Sequence, residues 1–191
     1  MLTVIRTAAL IVGLFFTVGY LYQVFYVLVG LLKTPKTYEE TKKYKYGVLI
    51  SARNESAVIA QLIQSIKQQN YPKKLITVFV VADNCTDHTA EIARQAGAVV
   101  YERFNKEQVG KGYALDWLLK NIAKDYGEDA FDGYFVFDAD NILDENYVAE
   151  MNKVFGSGYR VITSYRNSKN YGDNWISAGY ALWFLREAKY I

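Results

Sequence analysis

The sequence predicts an α/β sandwich with a mostly parallel sheet, preceded by one transmembrane helix. Three observations predict it. From Tyr46 onward, short apolar runs alternate with stretches of helical periodicity, the order of strands joined by crossover helices. Three of the apolar runs end in polar clusters, Ser51 to Glu55, Asp83 to Asp87 and Asp138 to Asn141, as strands do whose carboxyl ends share one edge of a sheet. Ahead of all this, the 23 residues from Leu10 to Leu32 carry no charge.

That amino-terminal stretch spans roughly 34 Å as a helix, enough to cross a hydrocarbon core of about 30 Å. A secretory signal has a shorter apolar core and a small-residue cleavage site, and none precedes Lys33. Arg6 stands alone before the span, whereas Lys33, Lys36, Lys42, Lys43 and Lys45 follow it. The positive-inside rule then places the following residues in the cytoplasm and the chain in the cell membrane. The expected organisation is an anchor over residues 1–33, a charged linker over 34–45 opened by Thr34-Pro35, and one domain over 46–191.

Within that domain Tyr46 to Ala52 reads as the first strand. Glu55 to Gln69 has Val58, Ile59, Leu62, Ile63 and Ile66 on one helical face, and Asn70-Tyr71-Pro72 ends it. Leu75 to Ala82 is the second strand. Asp87 or Thr86 caps a helix over Thr89 to Ala96, closed by Gly97. Ala98 to Tyr101 is a short third strand. Gly110-Lys111-Gly112 lies in a loop before a helix from Tyr113 to about Lys124. Gly133 to Phe137 is the fourth strand; its unbroken apolar run predicts cover on both faces. Tyr147 to Phe155 is helical, Arg160 to Tyr165 is a fifth strand, and Asn174 to Lys189 is a helix apolar on most sides.

Composition narrows the chemistry. Of 191 residues, 51% are hydrophobic and the net charge is +2, which supplies a core and gives no reason to expect nucleic acid as a partner. Cys85 is the one cysteine and His88 the one histidine, so an intrachain disulfide is excluded and a His- or Cys-rich zinc site is not supported. Both read as non-catalytic. Asp138 and Asp140, two apart at a strand end, are costly to hold together as two like charges unless a cation sits between them. Hard oxygen ligands suit Mg²⁺ or Mn²⁺, and capping of a turn is the plainer alternative. Asp83, with no obvious basic neighbour in sequence, suits acceptance of the imide N–H of a uracil ring, or a helix cap. Lys111 between two glycines suits a backbone near phosphates, or an ordinary helix start. It is not a Walker loop, because Asn105 stands where the first glycine is required and no Ser or Thr follows Lys111. No G-x-G-x-x-G follows the first strand, against a dinucleotide fold.

Taken together, Ser51-Ala52-Arg53-Asn54-Glu55, Val81 to Thr89, Gly110-Lys111-Gly112-Tyr113-Ala114-Leu115 and Phe137-Asp138-Ala139-Asp140-Asn141 resemble glycosyltransferase family 2, in order and spacing over roughly residues 46 to 165. The likeness is to the membrane-bound branch of cellulose, chitin and hyaluronan synthases. It implies a GT-A fold, inversion at the anomeric carbon, a nucleotide-sugar donor (commonly UDP-linked), a divalent Mn²⁺ or Mg²⁺, and a glycan or lipid-linked acceptor at the membrane. By motif, the resemblance implies that Ala52 and Glu55 line the nucleotide pocket, Asp83 contacts the uracil and Lys111 lies near the nucleotide. Asp138 then touches ribose or metal, and Asp140 ligates the metal.

The pattern departs from the family after Asp140. No Glu-Asp motif supplies an acceptor base, no Gln-x-x-Arg-Trp follows, and the sequence stops at Ile191. The chain is therefore expected to be the amino-terminal part of a longer enzyme. A non-catalytic nucleotide-sugar-binding relative is the alternative; a nucleotidyltransferase ranks last, lacking its Gly-rich amino-terminal loop.

Overall fold

In a computed structural model, which describes residues 2–32, 36–164 and 166–190, the sheet has four parallel strands in the order β3-β2-β1-β4. They are β1 (Tyr46–Ala52), β2 (Ile76–Asp83), β3 (Val99–Arg103) and β4 (Gly133–Asp138). The chain adds β2 and β3 on one side of β1 and then returns to add β4 on the other. The direction of winding thus reverses between β1 and β4, the place where open parallel sheets form their ligand crevice.

Period-two alternation sorts the strand residues into two cores. Val48, Ile50, Ala52, Val78 and Val80 face Ile59, Leu62, Ile63 and Ile66 of α2 (Ile59–Lys67) and Ala93 of α3 (Thr89–Gln95). On the opposite face Leu49, Phe79 and Val81 meet Ala114, Leu118 and Ile122 of α4 (Lys111–Tyr126). These three α4 residues recur every four positions, one stripe of a helix. The expected α/β/α sandwich with a parallel sheet is therefore what the chain forms.

A third cluster closes the end of the sheet away from the site. Tyr46, Tyr71 and Val148 of α5 (Tyr147–Gly156) pack together. Asn152, fully buried, accepts from the Tyr46 hydroxyl at 2.9 Å and from the Tyr44 N–H at 3.2 Å, and donates to the Lys42 carbonyl at 2.8 Å. A buried amide this well satisfied fixes the segment that leads into β1.

Several elements differ from the sequence expectation. The fourth strand is an edge strand covered on one face only. Phe135 and Phe137 join the α2 side, but Tyr134 and Val136 are exposed because α4 packs mainly over β1 and β2. The first domain helix starts at Ile59, four residues later than Glu55, because the amides of Glu55 and Ser56 are taken by side chains of the next loop. The helix expected from Tyr113 already begins at Lys111. The fifth strand does not form over residues 160–164. Val161 is 92% exposed and no strand lies beside it, and an isolated strand leaves its backbone groups without partners. Tyr165, its expected last residue, lies outside the described residues, as does the expected helix end at Thr34-Pro35.

The chain divides into two units. Tyr38–Ile162 holds the sheet; the other comprises residues up to Thr37 and from Thr163 onward. In the second unit α1 (Leu2–Leu32) is longer than the apolar stretch that predicts it and touches α6 (Trp175–Tyr190). α1 is one helix long and apolar enough to cross a membrane, with none of its residues buried.

Candidate functional site

Parallel register brings the polar clusters to one edge. Ala52 lies opposite Ala82, one residue before Asp83; Ser51 lies opposite Asp138; Asp83 lies opposite Arg103. The carboxyl ends of all four strands therefore contribute to the edge at which the β1/β4 crevice opens.

The loops after β1 and β2 are bound to each other. Asn54 and Asn84 adopt left-handed backbone angles, φ 58° and 53°, which asparagine tolerates better than other non-glycine residues. Asn54 Oδ1 accepts from the Thr86 N–H at 2.8 Å. Thr89, fully buried, donates its hydroxyl to Asp87 Oδ1 at 2.5 Å and accepts from the Glu55 N–H at 2.9 Å. Asp87 also accepts from the N–H groups of Thr89 at 3.0 Å and Ser56 at 3.3 Å. The Thr89 hydroxyl is the largest of several donors that bring the Asp87 carboxyl down to about 2. The N-cap position of α3 is His88, whose side chain makes no capping bond, and not Asp87 or Thr86 as expected; Asp87, one residue earlier, takes the first amide of the helix and helps to hold Glu55 at the edge. Cys85 donates to the Ala52 carbonyl at 3.4 Å, and burial pushes its thiol up, which fits a structural residue. His88 is exposed beside Glu91.

The depressed Asp87 carboxyl sets a pH expectation. A group with a lowered folded pKa stabilises above its unfolded value, near 3.9, and loses that contribution as pH falls toward its folded value. The stability gap between wild type and Asp87→Asn should therefore shrink between about pH 4 and pH 2. Urea unfolding at stepped pH reads this; a gap that is constant through the window counts against it.

Asp83 sits in the most buried part of the edge and, contrary to the sequence reading, has a basic partner. Arg103 Nη1 is 2.6 Å from Asp83 Oδ1, with side chains 3% and 5% exposed. Asn84 Nδ2 donates to the same oxygen at 3.2 Å. Arg103 was not among the sequence candidates because the third strand was expected to end at Tyr101. The available signal was the alternation Val99, Tyr101, Arg103, which carries the strand two residues further.

Lys111 opens α4 directly after Gly110, whose φ of 133° and ψ of 157° suit glycine alone. Its Nζ is 2.5 Å from Asp138 Oδ1. Asp138 is further held by its neighbour: its N–H donates to Asn141 Oδ1 at 3.1 Å, and its carbonyl accepts from the Asn141 N–H at 3.1 Å. Asp140 is exposed, and Asn141 Nδ2 reaches its Oδ1 at 3.4 Å, while Ala139 between the two acids is buried. The structure thus brings Ala52, Glu55, Asp83, Lys111, Asp138 and Asp140 to one edge.

Among the described residues no group of three or more His, Cys, Asp or Glu side chains forms a ready metal cage. Two solvent-facing carboxylates nonetheless fit Mg²⁺ or Mn²⁺, since such ions are commonly held by one or two carboxylates together with water and substrate phosphates. Asp138 and Asp140 are the residues that would hold it.

The model of the family described as glycosyltransferase-like family 2 matches residues 44–189. A 4,4'-diaponeurosporenoate glycosyltransferase of Staphylococcus haemolyticus is 36% identical over 88 residues, covering 44% of this chain and 23% of the relative. The probable glycosyltransferase YdaM of Bacillus subtilis is 32% identical over 114 residues, 56% of this chain and 26% of the relative. The β-monoglucosyldiacylglycerol synthase of a Nostoc species is 35% identical over 78 residues, 38% of this chain and 17% of the relative. The chain thus spans between 17% and 26% of the length of these relatives in the matched region. Among solved structures, a mannosyltransferase of Pyrobaculum calidifontis, in complex with GDP-Man and Mn²⁺, superposes with a TM-score of 0.58 at 23% identity, over 72% of this chain and 40% of that one. This likeness shows a shared fold. With a family match over more than half of its length, on the sheet edge built above, the chain belongs to the glycosyltransferase-like family 2.

Proposed function

We propose that this chain is the donor-binding part of a membrane-anchored, inverting glycosyltransferase that uses a nucleotide-sugar, UDP-linked, with Mn²⁺ or Mg²⁺. The observation that carries the proposal is the convergence of Asp83, Lys111, Asp138 and Asp140 on the edge beside the β1/β4 reversal. Asp83 accepts a ring N–H of the base. Ala52 and Glu55 line the pocket beside it, held by the Asp87–Thr89 contacts. Lys111, at the start of a 16-residue helix, places its ammonium and the helix amino-terminus near the diphosphate. The divalent ion, when bound, supplies charge stabilisation for the leaving diphosphate. The mannosyltransferase solved with GDP-Man and Mn²⁺ supports a nucleotide-sugar donor with a divalent ion, though its own nucleotide is GDP. The similarity to a β-monoglucosyldiacylglycerol synthase supports a lipid acceptor as an alternative to a glycan.

Calorimetric titration of the detergent-solubilised chain with UDP tests the reading. Binding should depend on Mn²⁺ or Mg²⁺; equal affinity with and without the ion, in a folded protein, removes the metal from the proposal. The anchor and its sidedness rest on α1 and on the lysines that follow it. A reporter fused after Ile191 should be active in the cytoplasm; activity only outside it overturns the orientation.

A further inference from the structure

Arg103 is unused in the reading above, and its surroundings are unusual. It is a buried cation at the end of β3 whose Nη1 meets Asp83 Oδ1 at 2.6 Å while its Nη2 donates to the Gln108 carbonyl at 2.8 Å. Gln108 lies in the loop that runs into Gly110 and Lys111. The same loop is held from a second point. Asn84 Nδ2 donates to the Asn105 carbonyl at 2.9 Å and Asn84 Oδ1 accepts from the Asn105 N–H at 2.9 Å. Asn105 Oδ1 in turn accepts from the N–H groups of Glu107 and Gln108.

Both described donors to Asp83, Arg103 Nη1 and Asn84 Nδ2, meet the same oxygen, Oδ1. The one buried side-chain polar atom without a partner among the described residues is Arg103 Nε. Asp83 Oδ2, which no described donor meets, therefore keeps contact with solvent. A buried ion pair that leaves a donor unmade is a poor device for stability, since an apolar pair of similar volume does as well or better. It is a good device for orientation, because a planar guanidinium fixes two acceptors at once in a way an ammonium does not.

We propose that Arg103 is a positioning residue for base selection. It holds the Asp83 carboxylate by Oδ1, leaves Oδ2 as the single acceptor offered to the base, and ties that carboxylate to the loop that carries Lys111. This rests on the reading of Asp83 as the base contact. An acceptor with no donor beside it matches a base whose ring nitrogen carries hydrogen, such as uracil at N3. It rejects cytosine, whose N3 is itself an acceptor and leaves two acceptors facing each other.

The test compares UDP, CDP, N3-methyl-UDP and inorganic pyrophosphate, each with Mn²⁺, on the full chain in detergent. Wild type should prefer UDP over CDP and over N3-methyl-UDP by roughly ten- to a hundredfold, the worth of a hydrogen bond to a charged acceptor. Arg103→Lys keeps the charge and loses the fork. It should cut that preference to within about threefold, while the Asn84–Asn105 bonds still hold the loop before Lys111 and pyrophosphate affinity stays within about twofold. Loss of pyrophosphate affinity in step with UDP, or an unchanged preference, overturns the role of Arg103. The double variant Asp83→Asn/Arg103→Gln removes both charges and leaves no buried ion unpaired, so it keeps the test open where Arg103→Lys fails to fold. Its preference should equal that of Asp83→Asn alone; a further loss overturns action through Asp83. No preference for UDP over N3-methyl-UDP in wild type would instead sink the Asp83 reading itself, separately from Arg103.

Discussion

Asp140→Asn should reduce the Mn²⁺-dependent affinity for UDP by roughly 10- to 100-fold or more, about the loss seen when even an outer partner of a metal ligand is removed. Several observations make this substitution clean. Asp140 is exposed at the end of the β4 loop and packs into neither core. Asparagine keeps its size and an oxygen at Oδ1, where Asn141 reaches it, so the loop geometry is retained. What changes is the charge, and a divalent cation held by only two carboxylates loses half of its protein charge with it. Affinity without the ion should be unchanged, because Asp83, the proposed base contact, lies on the next strand but one and is held by Arg103 and Asn84. The measurement is a pair of UDP titrations, with Mn²⁺ and with a chelator. A variant whose affinity still rises with Mn²⁺ as wild type does would show that the ion is held elsewhere.

The second large effect concerns stability. Phe79→Ala should cost about 3–5 kcal/mol, a large part of the roughly 5–15 kcal/mol that holds a domain folded. Phe79 is fully buried in β2, opposite Leu49 in the sheet. Its ring stands edge-on to Tyr126 at 5.3 Å and Phe131 at 5.5 Å. Removing the ring leaves a cavity between the sheet and α4 that neither partner can fill, since Phe131 is anchored at the entry to β4. In a chain of this size the midpoint should fall by about 2–4 °C for each kcal/mol, read by thermal unfolding in detergent. Val161→Ala is the contrasting control. A residue so exposed and outside the sheet should change stability by no more than about 0.5 kcal/mol. A larger loss would mean that residues 160–164 pair as a strand after all.

These two positions also separate what was legible in the sequence from what was not. Phe79 sits in an apolar run whose period of two needs no tertiary knowledge to read as a strand, and the four strands all appear where such runs stand. That Asp138 and Asp140 stand together at a strand end was legible for the same reason, since both lie within three residues of one another along the chain. The motif order likewise indicated the family, because each motif is local. The strand at Arg160 was misread because β-propensity says only that a segment suits a sheet; a neighbour to pair with is a tertiary fact, and here none is present among the described residues. The cover on β4 was misread similarly: apolar residues on both faces state a preference, while the placement of α4 decides which face is buried.

What the sequence determined by itself was therefore everything set by near neighbours along the chain: the apolar span, the strand and helix order, and the residue types at each strand end. What only the tertiary structure decided was which distant residues meet. Parallel pairing set Asp83 across from Arg103, 20 positions away along the chain. The reversal of winding set β4 beside β1. The Asp87–Thr89 contacts drew the Glu55 loop to the second strand and delayed the start of α2. The physical reason is the same in each case. Side-chain periodicity encodes which face a residue presents, but strand order and register are fixed by loop closure and core packing over the whole sheet, and no local pattern carries them.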